Sequence, residues 1–289
     1  MSSSGLYRGF SQTELDRAYS PSSMVASIEP FLARYAADSA TVRARHDATL
    51  WATHAYGASA EQTLDLFGPH VTPAPLLVFI HGGYWQALSK DDVSFPATAI
   101  TNAGFGYAAI NYTLAPHASM DAIVEEIRQA LVYLWINRQS LGIADGGMVV
   151  SGHSAGAHLA AMMLVTDWAA RGVDPGFIKA ALLLGGVYDL EPIRLSYVNA
   201  VVGMDEAASR RNSPIVQPRT VDCPLVVTWA EFDTDEFKRQ SRALATQWPG
   251  GRAVATSFEQ PHVNHFDSLF DWCDPNSRLS RETLALLRL

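Results

Sequence analysis

The sequence predicts an α/β fold, a mostly parallel central sheet with helices on both faces and a helical N-terminal segment or lid. Three observations carry this expectation. Short apolar runs recur along the chain: LLVFI (76–80), YAAIN (107–111), MVVSG (148–152), AALLLGG (180–186) and PLVVTWA (224–230). They lack the in–out alternation of a half-solvated strand, so they suit strands buried on both faces. Helical patterns lie between them, and strand–helix alternation builds a parallel sheet. No repeat, charge block or Pro/Gly/Ser-rich linker cuts the chain, so residues 1–289 read as one domain.

Taken in order, residues 1–60 come first and read as helical. Ser11 and Glu14 have capping-box spacing, and Ile28, Phe31, Leu32 and Tyr35 fall on one helical face. These helices are expected over the sheet or over a cleft. In 119–138, Ile123, Ile127, Leu131 and Leu134 recur every three or four residues, while Glu125, Glu126 and Arg128 point elsewhere. Residues 155–170 are rich in small and straight-chain side chains and read as a helix. Residues 188–218 interrupt the alternation. A connection of that length is read as a lid or substrate loop. Phe237, Leu244 and Trp248 mark a further helix, stopped by Pro249 and Gly250. A last strand is expected over 252–258.

Composition narrows the function. The chain has 289 residues, 48% hydrophobic and 17% charged, with a formal net charge of -8. Without a basic stripe, nucleic acid is not an expected partner. No run reaches the ~18 apolar residues of a membrane span, so no membrane association is expected. The opening MSSSGLYRGFSQTELDRAYS has neither the apolar centre nor the cleavage site of a secretory leader. The two cysteines, Cys223 and Cys273, form no disulfide framework or metal spacing, and the expected compartment is the cytoplasm. No GxGxxG follows a strand and no Walker loop occurs, so no cofactor is expected. His262 and His265 have HxxH spacing without the glutamate of a zinc-protease helix, so no metal is expected either. The oligomeric state is left open, a homodimer included.

The chemistry centres on Gly152-His153-Ser154-Ala155-Gly156, set between an apolar run and a helical pattern. A GxSxG arises by chance in a chain this long with odds of roughly one in ten, so its placement matters more than its letters. At a strand-to-helix turn, the glycines let the chain bend sharply enough to lift the serine oxygen clear of the sheet. Ser154 is the candidate nucleophile. His81-Gly82-Gly83-Tyr84-Trp85 directly follows the run 76–80. The backbone N–H of Gly82 or of Gly83, together with that of Ala155, is the candidate oxyanion donor set, because both turns fall at the carboxyl edge of a parallel sheet. His81 reads as a residue that holds this loop.

A serine needs a base, and the base an orienting acid. Both are expected downstream, acid before base. Asp233, just past the run 224–230, is the candidate acid, with Glu231 the alternative. His265 is the candidate base over His262, because an apolar stretch from Phe266 to Phe270 could anchor it. Tyr84, Trp85, Tyr112 and Tyr188 lie at or beyond strand ends and are candidates for an aromatic wall around a small aromatic substrate.

The stretches FIHGGYWQALSKDD, NYTLAP, SGHSAGAHLAA, YDLEPI, EFKRQS and NHF together resemble the serine-hydrolase type of kynurenine formamidase (arylformamidase), over roughly residues 50 to 270. The resemblance implies an α/β-hydrolase fold and hydrolysis of N-formyl-L-kynurenine to kynurenine and formate. By motif position it also implies the triad Ser154, Asp233 and His265. The chain departs from that pattern at Ala157, where many relatives have glycine, and at Gly185-Gly186, where they often carry a serine. The same triad serves a short-chain carboxylesterase, which is the alternative activity.

Overall fold

The computed structural model describes residues 5–69, 71–248 and 255–289. Its strands are β1 (Trp51–Ala55), β2 (Thr63–Phe67), β3 (Ala74–Ile80), β4 (Gly106–Ile110), β5 (Ile143–His153), β6 (Ile178–Leu184), β7 (Leu225–Phe232) and β8 (Ala255–Asn264). They form one sheet in the order β1-β2-β4-β3-β5-β6-β7-β8. β1 and β2 run antiparallel to each other, and β2 runs antiparallel to β4; every other neighbouring pair is parallel. The five apolar runs of the sequence are β3 to β7. The predicted stop at Pro249-Gly250 and the first residues of the predicted last strand, 252–254, lie outside the described residues.

Each central strand supplies both faces. On β3, Leu76, Val78 and Ile80 enter the core under one helical layer, while Leu77 and Phe79 enter the core under the other. All five are fully buried, and burying such a side chain contributes roughly 2 kcal/mol. The helices are α1 (Gln12–Ala18), α2 (Glu29–Arg45), α3 (Ala97–Asn102), α4 (Met120–Ile136), α5 (Ala155–Leu164), α6 (Glu191–Leu195), α7 (Asn199–Val202), α8 (Glu206–Arg211), α9 (Asp235–Gln247) and α10 (Arg278–Leu287). In α4 the predicted stripe of Ile123, Ile127, Leu131 and Leu134 is completely buried, and Ser119 caps the helix at the Ala122 N–H. The Ser11–Glu14 capping box is present at α1.

Three expectations need correction. Helix does not fill residues 1–60: it ends at Arg45, and β1 begins at Trp51. β1 and β2 lack apolar runs because β1 is a half-exposed edge and β2 carries Asp65, buried against Lys90 Nζ at 3.0 Å and Thr53 Oγ1 at 2.6 Å. The helix expected over 155–170 stops at Leu164, because the Thr166 hydroxyl takes the Met162 carbonyl and Thr220 N–H takes that of Leu164. Residues 188–218 are not one irregular loop. They fold into α6, α7, α8 and a short 3-10 turn at Pro214–Val216.

Candidate active site

Ser154 is the single residue between β5 and α5. Its backbone has φ 56° and ψ -120°, a strained conformation for a side-chain-bearing residue. The strain persists because the turn is over-determined. Ser154 N–H donates to the Leu184 carbonyl at 2.8 Å, and a Cβ at Gly152 or Gly156 would collide with the carbonyls of Gly156 or Ile80. Glycine is therefore required on both flanks by close approach. Ala155 opens α5, so its N–H is one of the donors with no acceptor within the helix.

The Gly82-Gly83 loop presses on this turn. A Cβ on Gly82 would stand 3.0 Å from the His153 carbonyl oxygen and 3.1 Å from Ser154 Cβ. Gly83 has φ +90° and is packed so closely against the Ala87 carbonyl that no side chain fits. The loop is braced from behind by His81, which stacks on Tyr112 at 4.2 Å, and by Tyr112 Oη, which donates to the His81 carbonyl at 3.1 Å. His81 thus holds the loop, as expected from the sequence.

Asp233 follows the last residue of β7, and His265 follows the last residue of β8. His265 Nδ1 lies 2.8 Å from Asp233 Oδ1, with both side chains almost completely buried. Ala230 N–H donates to the second carboxylate oxygen at 3.3 Å. The imidazole is walled by Phe237 at 4.9 Å, Phe266 at 5.4 Å and His153 at 4.5 Å. With Nδ1 held by Asp233, Nε2 is the nitrogen left for the serine. In the sequence Gly185 stands out only as a departure from the resembled pattern, with no part in the site. It has φ +50°, and a Cβ there would stand 3.3 Å from Asp233 Oδ2 and 3.5 Å from His265 Nδ1, so it leaves room for the pair.

The alternatives make a different pair. Glu231 accepts the His262 N–H at 2.6 Å and lies 3.5 Å from His262 Nδ1, on the outside of the protein, where the His262 side chain is 90% exposed. Exposed pairs of this kind contribute little. Glu231→Gln and His262→Ala are therefore expected to keep kcat/KM within about twofold of the parent. A loss of a hundredfold in a steady-state assay would move the acid–base assignment to them.

Ser154, His153 and His265 line one cavity of about 270 Å³. Its other walls include Tyr84, Leu88, Phe266, Ile28, Leu32 and Tyr35, with Tyr197 from the connection between α6 and α7. Of the four aromatic residues predicted to line the site, Tyr84 does so. Trp85, Tyr112 and Tyr188 do not. Trp85 is fully buried edge-on to His158 at 5.1 Å, Tyr112 is fully buried behind the loop, and the Tyr188 ring is buried next to Gly186. Their places in sequence put them at strand ends, but their side chains turn into the core under α4 and α5. Ile28 and Leu32 lie on the N-terminal helical face expected over the sheet or a cleft, Tyr197 in the connection read as a lid or substrate loop, and Phe266 in the stretch expected to anchor His265, but none is marked by the sequence as lining the site. Two of the larger clefts, of about 460 and 490 Å³, border Cys273 between α2, α3 and α10 and contain none of the triad.

A Cβ at Gly186 would come within 2.8 Å of the Ala157 methyl, so glycine at 186 leaves room for the methyl at 157.

Three further histidines are buried around the turn. Burial pushes His81 and His158 down to about 4 and His153 well below its ordinary 6.5. In the unfolded chain each takes up a proton near 6.5. Their contribution to stability is fully present above that pH and is lost as the pH falls toward 4, where the unfolded state binds more protons. The melting temperature is expected to fall by several degrees between about pH 7 and pH 5. Thermal unfolding followed by circular dichroism checks this, and an unchanged midpoint over that range would contradict it.

Comparison with known proteins agrees with this geometry. The chain is 33% identical to kynurenine formamidase of Salmo salar and 34% to that of Danio rerio, in each case over 97% of this chain and 98% of the relative. The chain belongs to the kynurenine formamidase family. The BD-FAE family model matches residues 64–175. A solved structure from Silicibacter sp. tm1040 superposes with a TM-score of 0.80, at 28% identity, covering 96% of this chain and 99% of that one. Esterase LipW from Mycobacterium marinum shares the fold at 20% identity, with a TM-score of 0.70 over 93% of this chain and 89% of that one. The family and the fold are those of α/β-hydrolase enzymes, as the sequence motifs implied.

Proposed function

We propose that the chain is an arylformamidase, hydrolysing an aryl formamide such as N-formyl-L-kynurenine to the free amine and formate. The observation that carries this reading is the cavity itself: Ser154 on a strained turn and His265 backed by Asp233 share an aromatic-lined space, in a chain that matches kynurenine formamidases over 97% of its length.

In this reading His265 Nε2 takes the Ser154 proton as Oγ attacks the formyl carbon. The N–H groups of Gly82, Gly83 and Ala155 receive the oxyanion, where preorganised donors act most strongly. Asp233 holds the imidazole in the tautomer with hydrogen on Nδ1 and stabilises the imidazolium. Collapse of the tetrahedral intermediate breaks the C–N bond, and His265 gives its proton to the leaving arylamine. Water then attacks the formyl-enzyme, His265 accepts its proton, and formate leaves as Ser154 is reprotonated. Tyr84 and Phe266 supply flat surfaces for the aryl ring.

Residues 188–218 act as part of the substrate wall through Tyr197, together with residues 21–35 of the N-terminal segment. Among the described residues no helix is long and apolar enough to cross a membrane. The unpaired Cys223 and Cys273 support a reducing compartment, the cytoplasm.

Parallel assays with N-formylkynurenine and p-nitrophenyl acetate test the substrate. The formamide is expected to have the higher kcat/KM. Turnover of the acetate alone would overturn the formamidase reading and leave an esterase.

A further inference from the structure

One short stretch of chain, residues 18–35, holds the loops of the oxyanion glycines, the acid and the base. Each attachment is to the residue immediately after the functional one. Tyr84, after Gly83, donates its hydroxyl to the Tyr19 carbonyl at 2.5 Å. Thr234, after Asp233, donates its hydroxyl to the Ala18 carbonyl at 2.6 Å. Phe266, after His265, offers its carbonyl to the Tyr35 hydroxyl.

These loops leave β3, β7 and β8. Sheet hydrogen bonds set the register of those strands but do not reach the loops beyond their ends, and β5 and β6 separate β3 from β7. The stretch is itself anchored where it makes these contacts. Tyr19 is fully buried, with its hydroxyl 2.7 Å from Glu236 Oε2 and accepting from Gln240 Nε2 at 3.0 Å. The Tyr35 ring lies 5.4 Å from Phe95 and 5.3 Å from Phe270, and Phe31 stacks on Phe266 at 5.7 Å.

We infer that residues 18–35 are a strap that sets the relative positions of the oxyanion loop, Asp233 and His265, and that Tyr35 is the positioning residue for His265. The inference rests on the triad reading above. Catalysis is sensitive to such placement, since a shift of about 1 Å can cost on the order of a hundredfold.

The test uses the full chain and p-nitrophenyl acetate or the formamide, well below the melting temperature. Tyr35→Phe keeps the ring and removes one hydroxyl. It is expected to lower kcat by roughly tenfold and to leave KM within about threefold. In a His265→Ala background the same change is expected to leave the residual rate unaltered, because the group it positions is gone. An unchanged kcat in the parent, or equal losses in both backgrounds, would overturn the inference. A His265→Ala protein with parental activity would instead overturn the triad. If Tyr35→Phe does not fold, Thr234→Val supplies the same test. It is expected to lose kcat in the parent and to have no effect in Asp233→Asn, while Thr234→Ser, which keeps the hydroxyl, retains parental kcat. Equal loss in Thr234→Val and Thr234→Ser would count against the strap.

Discussion

Ser154→Ala is expected to lower kcat by roughly 10⁵-fold or more while leaving the fold intact, because it removes the atom that forms the acyl-enzyme. The fold should survive for a local reason. The φ of 56° is imposed by the crossing of β5, α5 and β3 at Gly152 and Gly156, and alanine bears that conformation no worse than serine does. Any residual rate would come from the oxyanion donors and substrate binding alone. Steady-state kinetics together with a melting curve check both halves. A variant that keeps even a tenth of the parental rate would show that the hydroxyl is not the nucleophile.

Asp233→Asn is expected to be the second-largest effect, on the order of 10⁴-fold in kcat, with KM nearly unchanged. The buried carboxylate accepts from His265 Nδ1 at 2.8 Å and from Ala230 N–H at 3.3 Å. An asparagine fits the space, but it can present an N–H to the imidazole and so favour the tautomer with hydrogen on Nε2. That tautomer cannot accept the serine proton. The change isolates orientation and charge from packing. A loss of less than tenfold would mean that His265 is oriented by its aromatic walls, Phe237 and Phe266, rather than by Asp233.

What was legible from the sequence follows a physical division. β3 to β7 are buried on both faces, so their apolar runs stand out, and the α4 stripe repeats with the helical period because one side of it meets the sheet. The turn at Ser154 was legible because steric crowding leaves glycine as the only choice on each side. Asp233 and His265 could be located because parallel strands end at one edge and deliver their next residues there. β1 and β2 were missed because an edge strand need not be apolar, and a buried Asp65 paired with Lys90 hides the pattern of β2. Trp85, Tyr112 and Tyr188 were misplaced because nearness to a strand end does not say which way a side chain turns. The cavity wall was legible only as segments, the helical face of Ile28 and Leu32 and the 188–218 connection that carries Tyr197; which of their side chains meet was not, because the two segments are distant in sequence.

The central claim is that Ser154 is a nucleophile made reactive by the His265–Asp233 pair. Labelling with a fluorophosphonate, followed by peptide mass spectrometry, tests it most directly. The account predicts one adduct, on Ser154, formed rapidly in the parent, far more slowly in His265→Ala, and not at all in Ser154→Ala. An adduct on another residue, or equal labelling rates in the parent and His265→Ala, would contradict it.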